Sequence, residues 1–377
     1  MDNFTALPQF EKSSLTSPTL TVNRTNTTEH YNPVPNGIEF FETARFINGV
    51  IVYPLVCFPG LIGNILTLIV LSRENMRTST NAFLSALAVA DTIKLINDII
   101  YFCVMVLQRT DPSSAHVAYV HIYPYAHFVF SLSVCLSAWL TVSVAVERYI
   151  LVCHPTRSRE HCTRIRAIVT SSVVYVVMIG FSLPSAFRYK KIEMTDPITN
   201  TTITSITGTN LWKNTYMVHY DRFLNSLRSF IPLLILIYLN MCIINALRKT
   251  RAKKRHAQRH RVTFMMIIII MVFLFCTTPD AVMTLFLDFG YHEEENYYAK
   301  GVREFSDSLL AVNAAVNFII YCVLSRTFRQ SFTTLFCPAK KERNIKKELP
   351  WYRRLSDQSS FWNNKKRRRS SSVSQHL

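Results

Sequence analysis

Three groups of polar residues in otherwise apolar segments of the sequence could do chemistry. The first is Glu147-Arg148-Tyr149, which places a carboxylate beside a guanidinium at the end of a long apolar segment. A guanidinium stays charged and is costly in hydrocarbon, so it must reach water, a counter-charge or a partner protein. Glu147 beside it can neutralise that charge at rest.

The second group lies deeper in the apolar segments. Asp91 is in the middle of one segment, where an isolated carboxylate needs a counterion, a proton or a cation. Ser137 lies in another segment, while Asn313, Asn317 and Tyr321 recur every four residues and share one helical face. Their oxygens are hard ligands that could bind sodium, and a water-filled network without an ion is the alternative. The residues alone leave the two readings nearly even.

The third group consists of carboxylates predicted near one end of the apolar segments. Several carboxylates facing one cavity would attract a cationic group, and an Arg guanidinium can bind one of them bidentately. Alternatively, Asp98 and Asp307 neutralise Lys94 or Arg228 of the same chain, or point to water. The candidate ligand-binding residues are Asp98, Asp280, Asp288 and Asp307, with Tyr101, His127 and Phe130 as an aromatic wall.

Composition indicates what must position these groups. Of 377 residues, 49% are hydrophobic and 12% aromatic, yet the formal net charge is +18. A soluble globular domain carries that combination with difficulty, so apolar residues and charges must be segregated along the chain. The pattern is that of a multi-pass membrane protein.

Runs of about 20 mostly apolar residues predict seven membrane-spanning helices. We therefore expect an all-α membrane protein whose domain at residues 46–324 is a seven-helix bundle. The predicted spans are residues 46–71, 80–107, 117–150, 164–187, 223–247, 260–287 and 302–324.

The distribution of charge predicts the orientation in the membrane. Of 42 Lys and Arg residues, 29 fall on the side holding Arg148 and the C-terminus, 11 on the other side and two within spans. The positive-inside rule then predicts a plasma-membrane protein with an extracellular tail at residues 1–45 and a cytoplasmic C-terminus. Four glycosylation sequons, at Asn3, Asn23, Asn26 and Asn200, all lie on the predicted outside.

None of the nine cysteines lies on the predicted outside, so we expect no extracellular disulfide. Residues 325–337 have Phe328, Phe332 and Phe336 at helical spacing, which predicts a short amphipathic helix on the inner leaflet, with Cys337 placed for palmitoylation. An ordinary solvated linker is the alternative for this segment. Residues 338–377 form a basic, Ser-rich tail that we expect to be disordered. Its predicted phosphorylation sites are Ser370, Ser371, Ser372 and Ser374.

From Gly63-Asn64 to Phe328-Arg329 the chain resembles the rhodopsin-like G-protein-coupled receptors. The match depends on several motifs together, which makes it far more specific than any one of them. They are Leu87-Ala88-Val89-Ala90-Asp91 for the second helix, Glu147-Arg148-Tyr149 with Pro155 for the third, Phe273, Cys276 and Pro279 for the sixth, and Asn313 to Tyr321 for the seventh.

The resemblance implies a mechanism and partners. An outer ligand loosens the packing around the sixth helix, which bends at Pro279, and Arg148 leaves Glu147 to engage a heterotrimeric G protein. In the family, Asp91, Ser137, Asn313 and Asn317 line an allosteric sodium pocket, which favours the sodium reading here. Arrestin, receptor kinases and membrane lipids are further expected partners, and no other cofactor is expected.

Five positions depart from the family pattern: Tyr123, Asn240, Arg259, Thr277 and Phe318. Tyr123 replaces the usual Cys of an outer disulfide, so the loop that follows the fourth helix needs another constraint, such as a hairpin at residues 198–206. Thr277 replaces the usual Trp before Pro279, so an aromatic switch must use another residue, such as Phe273. Phe318 replaces a Pro, which predicts a straighter seventh helix.

The ligand is predicted to be a short basic, amidated neuropeptide. Aminergic members carry an Asp where this chain has Phe130, and the Asn317-Phe318 variant, Asn240 and a short third inner loop resemble the invertebrate FMRFamide branch of peptide receptors. The alternatives are a chemosensory, lipid or small-molecule receptor of the same fold, or a non-signalling receptor. A transporter is less favoured because the sequence has no internal repeat. No catalytic constellation is present in the sequence, so an enzyme is not expected. Nucleic acid is not among the expected partners.

Overall fold

The computed structural model describes residues 37–195, 202–211, 214–250, 257–286 and 296–336. Within these residues, seven long helices form a bundle and an eighth follows, which confirms the predicted fold class. The helices are α1 (Ile38–Leu71), α2 (Ser79–Thr110), α3 (Pro112–Cys153), α4 (Arg164–Phe187), α5 (Thr215–Thr250), α6 (Ala257–Phe286), α7 (Tyr297–Leu324) and α8 (Arg326–Phe336). The end of the bundle that holds Arg148 is called the inner end, and the opposite end the outer end.

Five of these helices, α1, α3, α4, α5 and α7, are long and apolar enough to cross a membrane. Helix α6 adds the apolar stretch Ile267–Met283. The apolar sequence of α2 is interrupted by three charged residues, Asp91, Lys94 and Asp98, all buried in the bundle. Charged side chains on a spanning helix turn toward the interior of the bundle, so this helix carries polar groups to the centre.

Helices α1, α3, α5 and α7 begin at least five residues earlier than the sequence pattern predicts, and the reason is clearest for α1 and α3. Helix α1 starts at Ile38 instead of residue 46, because Phe40 packs against Tyr298 and against the bare backbone of Gly301 on α7. Helix α3 starts at Pro112 and is capped by Asp111, which accepts hydrogen bonds from the backbone of Ser113 and Ser114. Hydrogen bonds from the Ser113 and Ser114 side chains lower the pKa of Asp111 to about 2.

Close packing fixes α7 against α1. A Cβ atom at Gly60 would lie 2.5 Å from Cβ of Ala315, and one at Gly63 would lie 2.9 Å from Cβ of Phe318. Helix α7 continues without interruption through Phe318, where the family often carries a proline. This packing sets the position of Asn317, one of the residues predicted to face the centre of the bundle.

The loop between α4 and α5 forms an antiparallel hairpin of two strands. Strand β1 (Tyr189–Thr195) pairs with β2 (Thr202–Gly208), so that Tyr189 lies opposite Gly208. The second strand overlaps the segment that the sequence marked as suited to a hairpin.

Non-covalent contacts hold this hairpin against α3. His116 Nε2 lies 2.7 Å from the carbonyl oxygen of Thr204, and the rings of Tyr123 and Tyr189 have centroids 5.2 Å apart. All eight cysteines among the described residues are free. Tyr123 thus contributes an aromatic contact at the position where the family often has a disulfide.

Helix α8 packs on the inner end of α7. Phe328 is buried against Tyr321 and Phe318, with ring centroids 5.6 Å and 6.0 Å away. Ser331 accepts a 2.9 Å hydrogen bond from Asn75 in the turn between α1 and α2. These contacts tie α8 to the inner end of α7 and to the turn between α1 and α2.

Candidate functional site

The inner end of α3 holds a buried ion pair. Arg148 Nη2 donates to Glu147 Oε2 at 3.2 Å, and the two residues are only 6% and 4% exposed. Ser79, in the first turn of α2, donates a hydrogen bond to the other carboxylate oxygen of Glu147. Arg148 Nε is buried without a hydrogen-bond partner among the described residues. The guanidinium therefore keeps unused hydrogen-bonding capacity.

Tyr149 and Pro155 lie at the end of α3 and just beyond it. Helix α3 ends at Cys153, and Pro155 follows, as expected for a residue that cannot continue a helix. The rings of Tyr149 and His154 lie 5.5 Å apart, edge to face. Tyr149 also packs against the apolar cluster between α3 and α5.

The centre of the bundle brings together three of the four residues predicted to bind sodium. Asp91 is fully buried, and its carboxylate accepts hydrogen bonds from Ser137 Oγ at 3.0 Å and Asn317 Nδ2 at 2.7 Å. Asn313 lies one turn outward on α7 and is half-buried. Nearby, Asn64 Nδ2 donates to the carbonyl of Ala314 at 3.0 Å.

The oxygens of this central group fit a singly charged hard cation. Asn64 Oδ1 is buried and accepts no hydrogen bond from any described residue. Each carboxylate oxygen of Asp91 accepts one hydrogen bond and retains a lone pair. Among the described residues, no cluster of three or more His, Cys, Asp or Glu side chains is arranged to hold a metal ion. A site with one carboxylate is suited to sodium rather than to a divalent transition metal.

Residues predicted to transmit a signal lie along α6 and α7. Phe273 is buried in an apolar cluster with Ala138 and Val142 of α3 and Leu236 of α5. Thr277 Oγ1 donates to the carbonyl of Phe273 at 2.8 Å, inside α6. Pro279 lies within the same helix and removes one backbone hydrogen bond. Tyr321 is buried beside Phe328 of α8.

At the outer end, Asp98 is neutralised within its own helix. Lys94 Nζ lies 2.8 Å and 2.6 Å from the two carboxylate oxygens of Asp98, one turn away. The ring of Phe130 on α3 covers this cation at 4.8 Å. Asp98 therefore adopts the internal pairing with Lys94 that the sequence left open.

Asp280 is likewise paired within the chain. Arg228 Nη2 donates to both of its carboxylate oxygens, at 3.0 Å and 3.1 Å, and Ser229 Oγ donates at 2.6 Å. Arg303 on α7 lies 3.9 Å from Asp280 and 3.8 Å from Asp307. Asp307 is 18% exposed, compared with 1% for Asp280. Of these predicted carboxylates, Asp307 is the least enclosed.

The other predicted ligand residues lie around this charged region. Tyr101 donates a long hydrogen bond of 3.5 Å to Glu304 of α7. His127 packs edge to face on Tyr189 of the hairpin, with centroids 5.3 Å apart. Phe130 lies between the Lys94 and Arg228 cations. These side chains join α2, α3 and α7 beneath the hairpin.

Sequence reasoning did not single out Ser229, Arg303 or Glu304. Arg303 precedes Asp307 by four residues, the helical spacing of an ion pair, so that signal was present. Ser229 gave no such signal, because its contact with Asp280 crosses from α5 to α6. Other predicted sites lie outside the described residues: Asp288, the sequons at Asn3, Asn23, Asn26 and Asn200, Cys337, and the serines Ser370, Ser371, Ser372 and Ser374.

Seven helices with a buried polar centre and a buried Glu-Arg pair at one end are the features of a multi-pass membrane protein with polar groups in its interior. A family model described as "7 transmembrane receptor (rhodopsin family)" matches residues 63–321, and the chain belongs to this family. The predicted resemblance is thereby confirmed. The family is one of receptors, which agrees with the expectation that the chain is not an enzyme.

Named relatives support the neuropeptide-receptor type. The chain is 26% identical over 332 residues to the FMRFamide receptor of Drosophila melanogaster, covering 83% of this chain and 57% of that receptor. It is 28% identical over 312 residues to neuromedin-U receptor 2 of Mus musculus, covering 77% and 75% of the two chains. It is 26% identical over 307 residues to galanin receptor 2a of Danio rerio, covering 78% and 79%. The chain thus spans 57% of the length of the FMRFamide receptor that it matches.

Proposed function

We propose that this chain binds an extracellular peptide and activates a heterotrimeric G protein through Arg148. The observation that carries the proposal is the buried Arg148–Glu147 pair, with Ser79 bound to the same carboxylate. A buried ion pair is costly to desolvate and adds little net stability. Its role in this proposal is therefore to keep the Arg148 charge neutralised until the G protein binds. The position of the pair at the inner end of α3 suits such a partner.

Activation then begins at the outer end and is transmitted by α6. The peptide shifts contacts around the outer half of α6, and Pro279 supplies the place at which the helix bends. The packing of Phe273 against α3 and α5 must loosen for the inner end of α6 to move. Arg148 then exchanges Glu147 for acceptors on the G protein.

A short, basic, amidated peptide is the ligand class that we propose. The FMRFamide, neuromedin-U and galanin receptors are relatives whose names refer to peptides. In this chain, Asp307 offers a carboxylate for a guanidinium, while Tyr101, His127 and Phe130 offer aromatic surface. Asp98 and Asp280 are already paired with Lys94 and Arg228, so they affect the ligand site through these ion pairs.

We also propose that sodium binds at Asp91 and favours the resting state. The hydrogen-bonded group of Asp91, Ser137 and Asn317, with Asn313 and the unused Asn64 Oδ1 nearby, supports the proposal. A cation would neutralise the buried carboxylate. Helix α7 carries Asn317 in this group and Tyr321 one turn away, so the ion would bias the helix that reaches the inner face.

The proposed setting is the plasma membrane, with residues 1–45 outside and 338–377 inside. Glycosylation at the four sequons and palmitoylation at Cys337 fit that orientation, because α8 ends at Phe336 beside the expected inner leaflet. Phosphorylation of Ser370, Ser371, Ser372 and Ser374 by receptor kinases would reverse the local positive charge and could recruit arrestin.

The experiment is a G-protein activation assay in cells that express the chain at measured surface levels. The ligands are a panel of amidated peptides that includes FMRFamide, each paired with its free-acid form. We expect an amidated peptide to activate the G protein and its free acid to be weaker. Silence toward the whole panel from a well-expressed chain, without basal signalling, would contradict the proposal.

A further inference from the structure

Four charged residues of alternating sign cross from α5 through α6 to α7. Arg228 pairs with Asp280, Arg303 lies between Asp280 and Asp307, and all three separations are below 4.0 Å. We call these four residues the charge row. The contacts are unequal: Arg228 Nη2 lies 3.0 Å and 3.1 Å from the two carboxylate oxygens of Asp280, while Arg303 approaches both carboxylates at 3.8 to 3.9 Å.

The strong end of the charge row ties α5 to α6. Arg228 and Ser229 lie in a π-helical segment of α5, Ser226–Phe230, and both side chains reach Asp280. Such wide turns often occur at functional sites. The carbonyl of Leu227 in this segment accepts a 3.0 Å hydrogen bond from Trp139 of α3. The segment is therefore fixed to α3 on one side and to α6 on the other.

Asp280 directly follows Pro279, the residue at which α6 can bend. The Arg228–Asp280 pair thus acts on α6 at the point where a small change in direction has a large effect at the inner end.

We propose that Asp280 exchanges cations during activation, passing from Arg228 to Arg303 when a cationic ligand group pairs with Asp307. This inference rests on the proposed function and specifies how the ligand would act. Arg303 is held between two carboxylates in the resting structure. A ligand cation at Asp307 removes one attraction and repels Arg303 toward Asp280. Arg303 then competes with Arg228, and the hold of α5 on α6 weakens.

The exchange can be tested without knowing the natural ligand, because Asp307→Asn removes the same charge that a ligand cation would neutralise. Basal G-protein signalling is measured for Asp307→Asn, Arg303→Gln and the double variant, at matched surface expression. We expect Asp307→Asn to raise basal signalling by about fivefold, the scale of a modest coupling between sites. The double variant should return to the wild-type level, since Arg303 is the residue that moves.

Arg228→Gln tests whether loss of the Arg228–Asp280 pair follows the movement of Arg303. It removes the hold on α6 directly, so it should raise basal signalling in the Arg303→Gln background as well. Arg188→Gln is the matched control, because it removes a similar ion pair at the outer end of α5, where Arg188 Nη1 lies 3.0 Å from both carboxylate oxygens of Asp221. If Arg228→Gln fails to reach the surface, Arg228→Lys keeps the charge but replaces the planar guanidinium with an ammonium on a shorter side chain, and a smaller rise is expected.

The outcomes separate this inference from the proposed function. Asp307→Asn and Arg303→Gln effects that simply add, or no rise in Asp307→Asn, would overturn the exchange while leaving a signalling receptor. A chain that neither signals basally nor responds to the peptide panel, in the wild type and all variants, would overturn the proposed function and this inference with it.

Discussion

Ser79 and Glu147 join the inner ends of α2 and α3 through a hydrogen bond from the serine hydroxyl to the carboxylate that also holds Arg148. The carboxylate is therefore fixed from two helices at once. Arg148 can leave only by giving up a charge-assisted bond to an acceptor that is already oriented for it. This arrangement makes the resting state depend on a side chain outside the Glu-Arg-Tyr motif.

Substitution Ser79→Ala should raise basal signalling. It leaves one oxygen of a buried carboxylate without its donor, which costs roughly 1 to 3 kcal/mol, and the cost falls on the resting arrangement. The measurement is ligand-free G-protein activation at matched surface expression. Ser72→Ala is the control, because Ser72 is exposed and its hydroxyl donates to the carbonyl of Ile69. Equal basal signals in the two variants would show that Ser79 does not hold Glu147.

Substitution Gly60→Ala should destabilise the bundle. The new Cβ would meet the Cβ of Ala315 at 2.5 Å and its Cα at 2.9 Å, so α1 and α7 must separate. Such overpacking typically costs about 1 to 3 kcal/mol. Thermal unfolding of the purified receptor measures the effect.

Gly180→Ala on α4 provides the comparison for Gly60→Ala. A Cβ at Gly180 meets nothing within 4 Å. Because alanine favours a helix over glycine by about 0.5 to 1 kcal/mol, this variant should unfold at the same or a higher temperature. Equal destabilisation of the two variants would mean that the contact between α1 and α7 is looser than the structure shows.

Substitution Tyr189→Ala should loosen the outer hairpin. Tyr189 contacts both Tyr123 and His127, and aromatic pairs contribute about 0.5 to 1.5 kcal/mol beyond burial. We expect faster amide hydrogen exchange in β1 and β2, with α3 unchanged. Lys190→Ala is the control, because the neighbouring Lys190 is exposed. Unaltered exchange in the hairpin would mean that other contacts hold it in place.

Sodium should stabilise the receptor through Asp91. A ligand that binds only the folded state stabilises it by about 1.4 kcal/mol at ten times its dissociation constant. Purified receptor is therefore expected to unfold at a higher temperature in sodium chloride than in potassium chloride of equal ionic strength. The difference should vanish in Asp91→Asn. No difference in the wild type would support the water-filled network instead.

Much of the fold could be predicted from the sequence because hydrophobic runs and charge asymmetry act over whole helices. The central group was equally accessible, since the four-residue spacing of Asn313 and Asn317 defines a face of α7. The early start of α1 was missed, because it depends on Phe40 fitting against Gly301, a contact between distant parts of the chain.

The outer site was harder to predict for the same reason. Carboxylates suggested a cationic ligand, but which of them are neutralised internally depends on neighbours on other helices. Asp280 binds Arg228 and Ser229 because a π-helical turn places two consecutive residues of α5 against α6. Periodicity along one helix carries no information about such a turn.

The most direct test of the central claim is peptide-stimulated nucleotide exchange on a purified G protein by the receptor in lipid bilayers. Wild type is compared with Arg148→Gln and with Arg157→Gln, which removes an exposed arginine from the loop after α3. We predict that an activating peptide stimulates the wild type and Arg157→Gln alike. Stimulation by Arg148→Gln should fall by at least about tenfold, as expected for losing one partner of a buried, charge-assisted contact. Full stimulation by folded, peptide-binding Arg148→Gln would contradict the proposal that Arg148 carries the signal to the G protein.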